Sequence, residues 1–342
     1  MPILVILVVL LSLIFSFSNG YNNSANIIAI PVGTRALLPT KALILASIFE
    51  FIGTYFLGKE VAKTIAVGII EPNIFFGNSY AIIILFSTLL TSIFWNIICT
   101  FLGIPVSASH ALIGGFVGSS IAAFGYNVVK WNNVLKIFSM LIIAPILSFI
   151  LSYLVTKISY FLSRNATLKI NNLYKNLQII SSLGCALAHG SNDGQRNVGI
   201  LTFGLIVLGI ISPTKDGNLF VPRWIVFLSA LSISLGIMFG GLSVIKTVGM
   251  NIYKIKHING FSAQFTSTVV VYIASLLGIP LSTTHVVTTS VMGTGVAERI
   301  KAVKWLVSRD IFLTWILTIP LSLIISYFLY FIILEVVKIL NL

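Results

Sequence analysis

Charge is what this sequence has least of. Only 8% of its 342 residues are Asp, Glu, Lys or Arg, and just eight are acidic. A soluble domain carries about a quarter of its residues charged, so a soluble fold is excluded. Cysteine is scarce as well. Cys99 and Cys185 lie far apart in apolar runs, with no His or Cys at ligand spacing. That argues against a disulfide framework or a cysteine metal site and leaves two small buried hydrophobes. The chain has no G-x-S-x-G elbow, no P-loop and no H-E-x-x-H, the usual marks of hydrolases, nucleotide-driven machines and zinc proteases. Serine and histidine do occur in a chain that also holds aspartate. A catalytic triad is defined by geometry, however, and here the Ser–His pairing comes in duplicate. An enzyme is not expected, and no cofactor is implied. The period-2 alternation of a β-barrel is also missing.

What the chain has is hydrocarbon. It is 57% hydrophobic with a mean hydropathy of +1.06. Runs free of charge span 1–34, 72–129, 137–156, 224–245, 257–297 and 311–334. A helical crossing takes roughly 20 apolar residues. The fold class expected is therefore an all-α polytopic membrane protein with about ten crossings, some broken or re-entrant, in contact with a lipid bilayer. The net charge of +13 invites a nucleic-acid reading, but the basic residues gather between apolar runs: Lys157, Arg164, Lys169 and Lys175; Lys254 and Lys256; Arg299, Lys301, Lys304 and Arg309. That is the positive-inside pattern of cytoplasmic loops, so no nucleic-acid partner is expected. Residues 1–34 carry no basic side chain. The simplest orientation in a cell (plasma or inner) membrane places the N-terminus outside and the central loop in the cytoplasm. The opening MPILVILVVLLSLIFSF has neither a basic n-region nor an A-x-A-like site and reads as the first membrane segment. Soluble domains and low-complexity tails are not evident.

The chain repeats itself. GIPVSASHALIGGFVGSSIA (103–122) aligns with GIPLSTTHVVTTSVMGTGVA (278–297) at an offset of 175 residues, and Pro145 matches Pro320 at the same offset. Asn22–Asn23 answers Asn192–Asp193, and FIGTYFLGKEVAKTI (51–65) answers SLGIMFGGLSVIKTV (234–248). The expected organisation is a first membrane repeat over 1–160, a basic linker over 161–175 and a second repeat over 176–342. Duplicated halves of this kind suit inverted topology around a shared site near the bilayer midplane.

The polar stretches then acquire a meaning. Pro105 and Pro280 cannot continue a helix, while the Ser and Thr residues behind them are good caps and first-turn residues. Each segment predicts a half-helix that starts inside the membrane with free amides and hydroxyls at its mouth. A helix N-terminus carries about half a positive charge and attracts anions. Ser107 and Ser109 form one mouth; Ser282, Thr283 and Thr284 form the other. The competing reading is ordinary: Ser and Thr in membrane helices often bond back to their own turn or glue helices together. In HGSNDGQRN (189–197), Asp193 and Arg196 stand three apart in apolar surroundings, where a charge costs roughly 3 kcal/mol on insertion scales. Asn192 and Asp193 offer hard oxygen ligands for a small cation. Glu50 is a further intramembrane carboxylate and a candidate for cation or proton coupling.

These motifs together resemble the inorganic phosphate transporter (PiT) family of cation-coupled anion permeases, of the bacterial and archaeal type. HGSNDGQRNVGI is similar to its second signature, HGxNDxQ(K/R), and NGYNNSANIIAIPVGTRAL to its first, NGxxDxANAIA. The GIPxSxxH segments resemble its paired P-x-S-T-T-H motifs. The likeness spans essentially the whole chain. It implies a secondary active importer of inorganic phosphate, coupled to Na+ or H+ by alternating access. By position, the anion site would take Asn22, Asn192, Asp193, Gln195 and Arg196 together with Ser107, Ser109, Ser282, Thr283 and Thr284. Asn23, Asn26, Asp193, Asn197 and Glu50 are the candidates for holding or coupling a cation, with a bound Na+ at Asn23, Asn192 and Asp193. The sequence departs from the family pattern at Asn23, where an Asp is usual, and at Ala108, which replaces a hydroxyl. A sulfate or other oxyanion permease is the nearest alternative, and an anion channel or a non-transporting receptor a more distant one. A homodimer is one assembly open to such a protein.

Overall fold

Both Gly-Ile-Pro-x-Ser segments stop one helix and start the next. In the first half, helix α4 (Ser79–Phe101) ends at Gly103, whose φ of 70° is open to glycine alone without strain. The Gly103 N–H bonds the Thr100 carbonyl at 3.0 Å, and the Ile104 N–H bonds the Cys99 carbonyl at 2.9 Å, which is the Schellman pattern. Pro105 bars continuation. Ser107 then caps α5 (Ala108–Phe124), its Oγ accepting the His110 N–H at 3.3 Å. The second half repeats each step. Helix α11 (His257–Leu276) ends at Gly278 with φ 67°. Gly278 bonds Ser275 at 3.1 Å and Ile279 bonds Ala274 at 2.9 Å. Ser282 caps α12 (Thr283–Glu298) through the His285 N–H at 3.4 Å.

The computed structural model describes residues 2–67, 79–211 and 221–339, and the regular elements among these are helices, with no β-strand. The remaining helices are α1 (Pro2–Gly33), α2 (Pro39–Phe56), α3 (Lys59–Val67) and α6 (Trp131–Ser163), then α7 (Ile170–His189), α8 (Gln195–Val207), α9 (Arg223–Phe239), α10 (Leu242–Lys246) and α13 (Trp305–Ile339). The start of the charge-free run at 72–129 lies outside the described residues. Of the stretch expected as a linker, 161–175, both ends are helical, since α6 runs to Ser163 and α7 begins at Ile170.

Among the described residues, four helices are long and apolar enough to cross a bilayer: α1, most of α4, α6 and α13. A fifth span results if α9 and residues 243–251, which meet at 65°, are taken together. This is fewer than the ten or so that counting apolar runs gives. The physical reason is that much of the apolarity serves burial inside the protein. Helices α5, α8 and α12 have 17, 13 and 16 residues, short of a crossing, and are almost wholly buried. By contrast α6 shows Ile142, Ile146, Ile150, Leu154 and Ile158 on an exposed stripe, and α13 shows Ile316, Ile324, Phe328 and Ile332, as a lipid-facing surface requires.

The halves are interlocked. The half-helix α5 packs against α13, and α12 packs against α6. Gly118 and Gly293, which match across the repeat, make this possible. A Cβ on Gly118 would meet the Leu323 carbonyl and one on Gly293 the Phe149 carbonyl, both well inside contact distance. Small residues that let helix backbones approach are how membrane helices gain packing energy where no hydrophobic drive operates between them.

Candidate functional site

Each mouth closes on the other. The Thr284 hydroxyl reaches the Val106 carbonyl at 3.1 Å, and the Ser109 hydroxyl reaches the Leu281 carbonyl at 3.2 Å. Residues 106 and 281, like 109 and 284, are matched across the repeat, so one bond is the counterpart of the other. Two capped helix starts thus face one spot, buried throughout.

Helix α1 brings its asparagines to this spot. Asn19, Asn23 and Asn26 recur at helical spacing, and all are buried. Asn26 donates to Thr284 Oγ1 at 3.0 Å. Asn23 Oδ1 faces Thr284 Oγ1 at 3.1 Å, and its amide donates to Asn19 Oδ1 at 2.7 Å and to Asp193 Oδ2 at 2.8 Å. Asp193 lies in a widened π-turn, Gly190–Gly194, between α7 and α8. Its Oδ2 also accepts from Thr283 Oγ1 at 2.9 Å. Asp193 therefore joins α1, the π-turn and the α12 mouth.

A line of buried charges runs away from Asp193. His189 Nε2 is 3.0 Å from Asp193 Oδ2, and His189 Nδ1 is 2.9 Å from a carboxylate oxygen of Glu50. On the other side Arg196 Nη2 is 2.6 Å from Asp193 Oδ1. All four side chains are at most 1% exposed. Arg196 keeps Nε and Nη1 without a partner. A buried guanidinium with free N–H groups is an open anion donor set, because unpaired buried polar groups are costly.

Other expected residues are placed differently. Asn22 donates to Thr100 Oγ1, and Asn192 donates to Ser275 Oγ at 3.2 Å. Thr100 and Ser275 match across the repeat, so the paired asparagines clamp the last turns of α4 and α11 ahead of each break. Asn192 also donates to the Ile279 carbonyl at 3.0 Å and accepts the Leu281 N–H at 3.2 Å. Its oxygen is thus engaged with backbone, while Asn23 and Asp193 are directly bonded. Gln195 bonds the Thr54 carbonyl and ties α8 to α2. Asn197 Oδ1 is 3.5 Å from Asn19 Nδ2, and its own amide has no partner. The sequence reading did not single out His189, although its i, i+4 spacing to Asp193 signals a shared helix face. Nor did it pick Asn19, one turn before Asn23.

With this geometry in view, comparison with known proteins is decisive. Residues 19–326 match the model of the phosphate transporter family. The chain belongs to that family. It is 37% identical over 332 residues to the "Probable low-affinity inorganic phosphate transporter" of Bacillus subtilis (strain 168), covering 96% of this chain and 97% of the relative. A protein described in the same words from Rhizobium meliloti (strain 1021) is 36% identical, covering 96% of each. Among solved structures, "The sodium-dependent phosphate transporter" matches with a TM-score of 0.85 and 27% identity, covering 97% of this chain and 99% of that one. The resemblance read from the signatures is therefore confirmed, as is the all-helical, multi-pass membrane class. These relatives are transporters by description.

Proposed function

We propose that this family member imports inorganic phosphate together with a cation, by alternating access between two inverted repeats that share the site just described. The observation that carries the reading is the reciprocal pair Thr284–Val106 and Ser109–Leu281, set beside Arg196 with its free N–H groups. The paired bonds hold both mouths shut. An anion entering between them would replace each carbonyl as the partner of a hydroxyl, and Arg196 would supply charge-assisted bonds. Broken helices meeting between repeats suit a carrier whose halves rock about a fixed site.

Asp193 gives the cation a reason to be there. Glu50 and Asp193 are buried carboxylates on either side of His189, Arg196 pairs with Asp193, and an incoming phosphate adds more negative charge. Na+ is the cation to test first, since the similar solved protein is described as sodium-dependent. Glu50 and His189 make H+ the second. The anion site proposed comprises Ser107, Ser109, Ser282, Thr283, Thr284, Asp193 and Arg196. Asn22, Asn192 and Gln195 act by positioning the helix ends. Asn23, Asn26 and Asn197 border the cation position.

Purified protein in proteoliposomes should take up labelled phosphate in a saturable way when an inward Na+ or proton gradient is imposed. Absence of phosphate flux under every gradient defeats the proposal. Sulfate is the second reading. A phosphate oxygen that still bears a proton needs an acceptor, which Asp193 supplies and sulfate does not require. Excess sulfate should therefore compete poorly, and equal competition would shift the reading to a general oxyanion permease. Orientation is tested with single added cysteines, since Cys99 and Cys185 are buried. Pro2→Cys should react with an impermeant maleimide from outside, and Asn165→Cys only from the cytoplasm.

A further inference from the structure

Beside the crossed mouths lies a cavity that the transport site does not use. Its volume is about 410 Å³, within the roughly 300–1,000 Å³ of small-molecule pockets. Leu141 and Pro145 of α6 and Trp315 and Ile319 of α13 form its walls, with His110 and His285 among them. Ile142, Ile146 and Ile316 at its edge are exposed, and they belong to the apolar stripes of α6 and α13. The cavity therefore opens toward acyl chains rather than water.

The two histidines set it apart from a packing gap. They are 5% and 3% exposed, and their rings meet edge to face at 4.5 Å. His285 stacks on Trp315 at 3.7 Å, and the Trp315 indole N–H is spent on the Pro105 carbonyl at 3.1 Å. Neither ring nitrogen of His110 has a hydrogen-bond partner, nor does Nε2 of His285. The backbones of Trp315 and Leu141 lie against the His110 and His285 rings respectively. A buried polar atom left unpaired costs about 1–3 kcal/mol, and native proteins keep few of them. Three together in an otherwise apolar cavity form the pattern of a ligand site: greasy walls with a few polar groups to fix orientation.

We propose that this cavity binds an uncharged, membrane-soluble molecule that presents a hydroxyl or carbonyl to His110 and His285 and leaves an alkyl body between α6 and α13. A charged headgroup is disfavoured because its desolvation has no compensating partner here. A plain alkane would leave all three nitrogens unpaired. The inference concerns binding alone and stands independently of what the protein carries.

The test is photolabelling of the full-length protein in phosphatidylcholine vesicles with a hexadecanol bearing a mid-chain diazirine, the adducts being mapped by mass spectrometry. Adducts should concentrate at 138–146 and 312–319, saturate with probe, and fall at least tenfold with excess hexadecanol but not with hexadecane. Ile142→Trp and Ile316→Trp, which block the cavity from its edge, should each abolish the saturable labelling. His110→Leu should weaken the hexadecanol competition about tenfold. Labelling spread evenly over the exposed faces of α1, α4, α6 and α13 overturns the proposal, as does equal competition by hexadecane or unchanged labelling in a folded Ile142→Trp variant.

Discussion

Replacing Asn23 with Asp places a second carboxylate beside Asp193, and the structure sets the size of the effect. Asn23 Nδ2 donates to Asp193 Oδ2 at 2.8 Å. In Asn23→Asp that attractive contact becomes two carboxylates face to face. Two unit charges about 4 Å apart repel by about 4 kcal/mol at an effective dielectric of about 20, equivalent to about a thousandfold in a binding constant. A cation between the two oxygens, or a proton on one, removes the repulsion. The variant should therefore bind Na+ more tightly than the parent, by ten- to a thousandfold once side chains relax. Its thermal midpoint in Na+-free buffer should fall below the parent's and recover on adding Na+, as linkage requires. Phosphate uptake measured against Na+ concentration supplies the second readout. Equal Na+ dependence and equal Na+-free stability in the two proteins would refute the placement of the cation beside residue 23.

The other predictions concern the same buried network and the packing that holds it. Asp193→Asn leaves Arg196 and His189 without their shared carboxylate and should abolish coupled uptake, whereas Asn23→Ala, which loses hydrogen bonds to Asn19, Asp193 and Thr284 but no charge, should retain some; measured initial rates decide the order. Ser282→Ala and Thr284→Ala each remove a donor at the α12 mouth and should raise the phosphate KM about fivefold, for a net hydrogen bond of about 1 kcal/mol, with folding intact by size-exclusion chromatography. Gly118→Leu forces a side chain into the Leu323 carbonyl. It should cost several kcal/mol of α5–α13 packing, seen as a lowered thermal midpoint, while Gly125→Ala, where space is open but the backbone (φ 81°, ψ 179°) lies in a region kept almost wholly for glycine, should cost about 1–3 kcal/mol through backbone strain alone.

How much was legible beforehand follows from the range of each interaction. The breaks at Gly103 and Gly278, their Schellman bonds and the Ser107 and Ser282 caps involve residues within five positions of one another. Glycine, proline and serine dictate such structure locally, so the sequence named both helix starts correctly. The match of Thr100 to Ser275 lies at the same offset of 175 residues but carries no local signature, since a single hydroxyl residue at a helix end announces no partner. Asn192 looked like a cation ligand because amide oxygens are hard donors. Only the fold shows that oxygen turned to the Leu281 N–H.

Composition alone committed this chain to the membrane, since 8% charge cannot cover a water-facing surface. The repeated motifs alone committed it to two serine-capped helix starts. Tertiary structure decided which groups meet. Asn23 reaches Asp193 across 170 residues, Glu50 reaches His189 across 139, and Thr284 reaches Val106 across 178. No local propensity encodes such contacts; they follow from α5 packing on α13 and α12 on α6, which brings the two capped helix starts face to face.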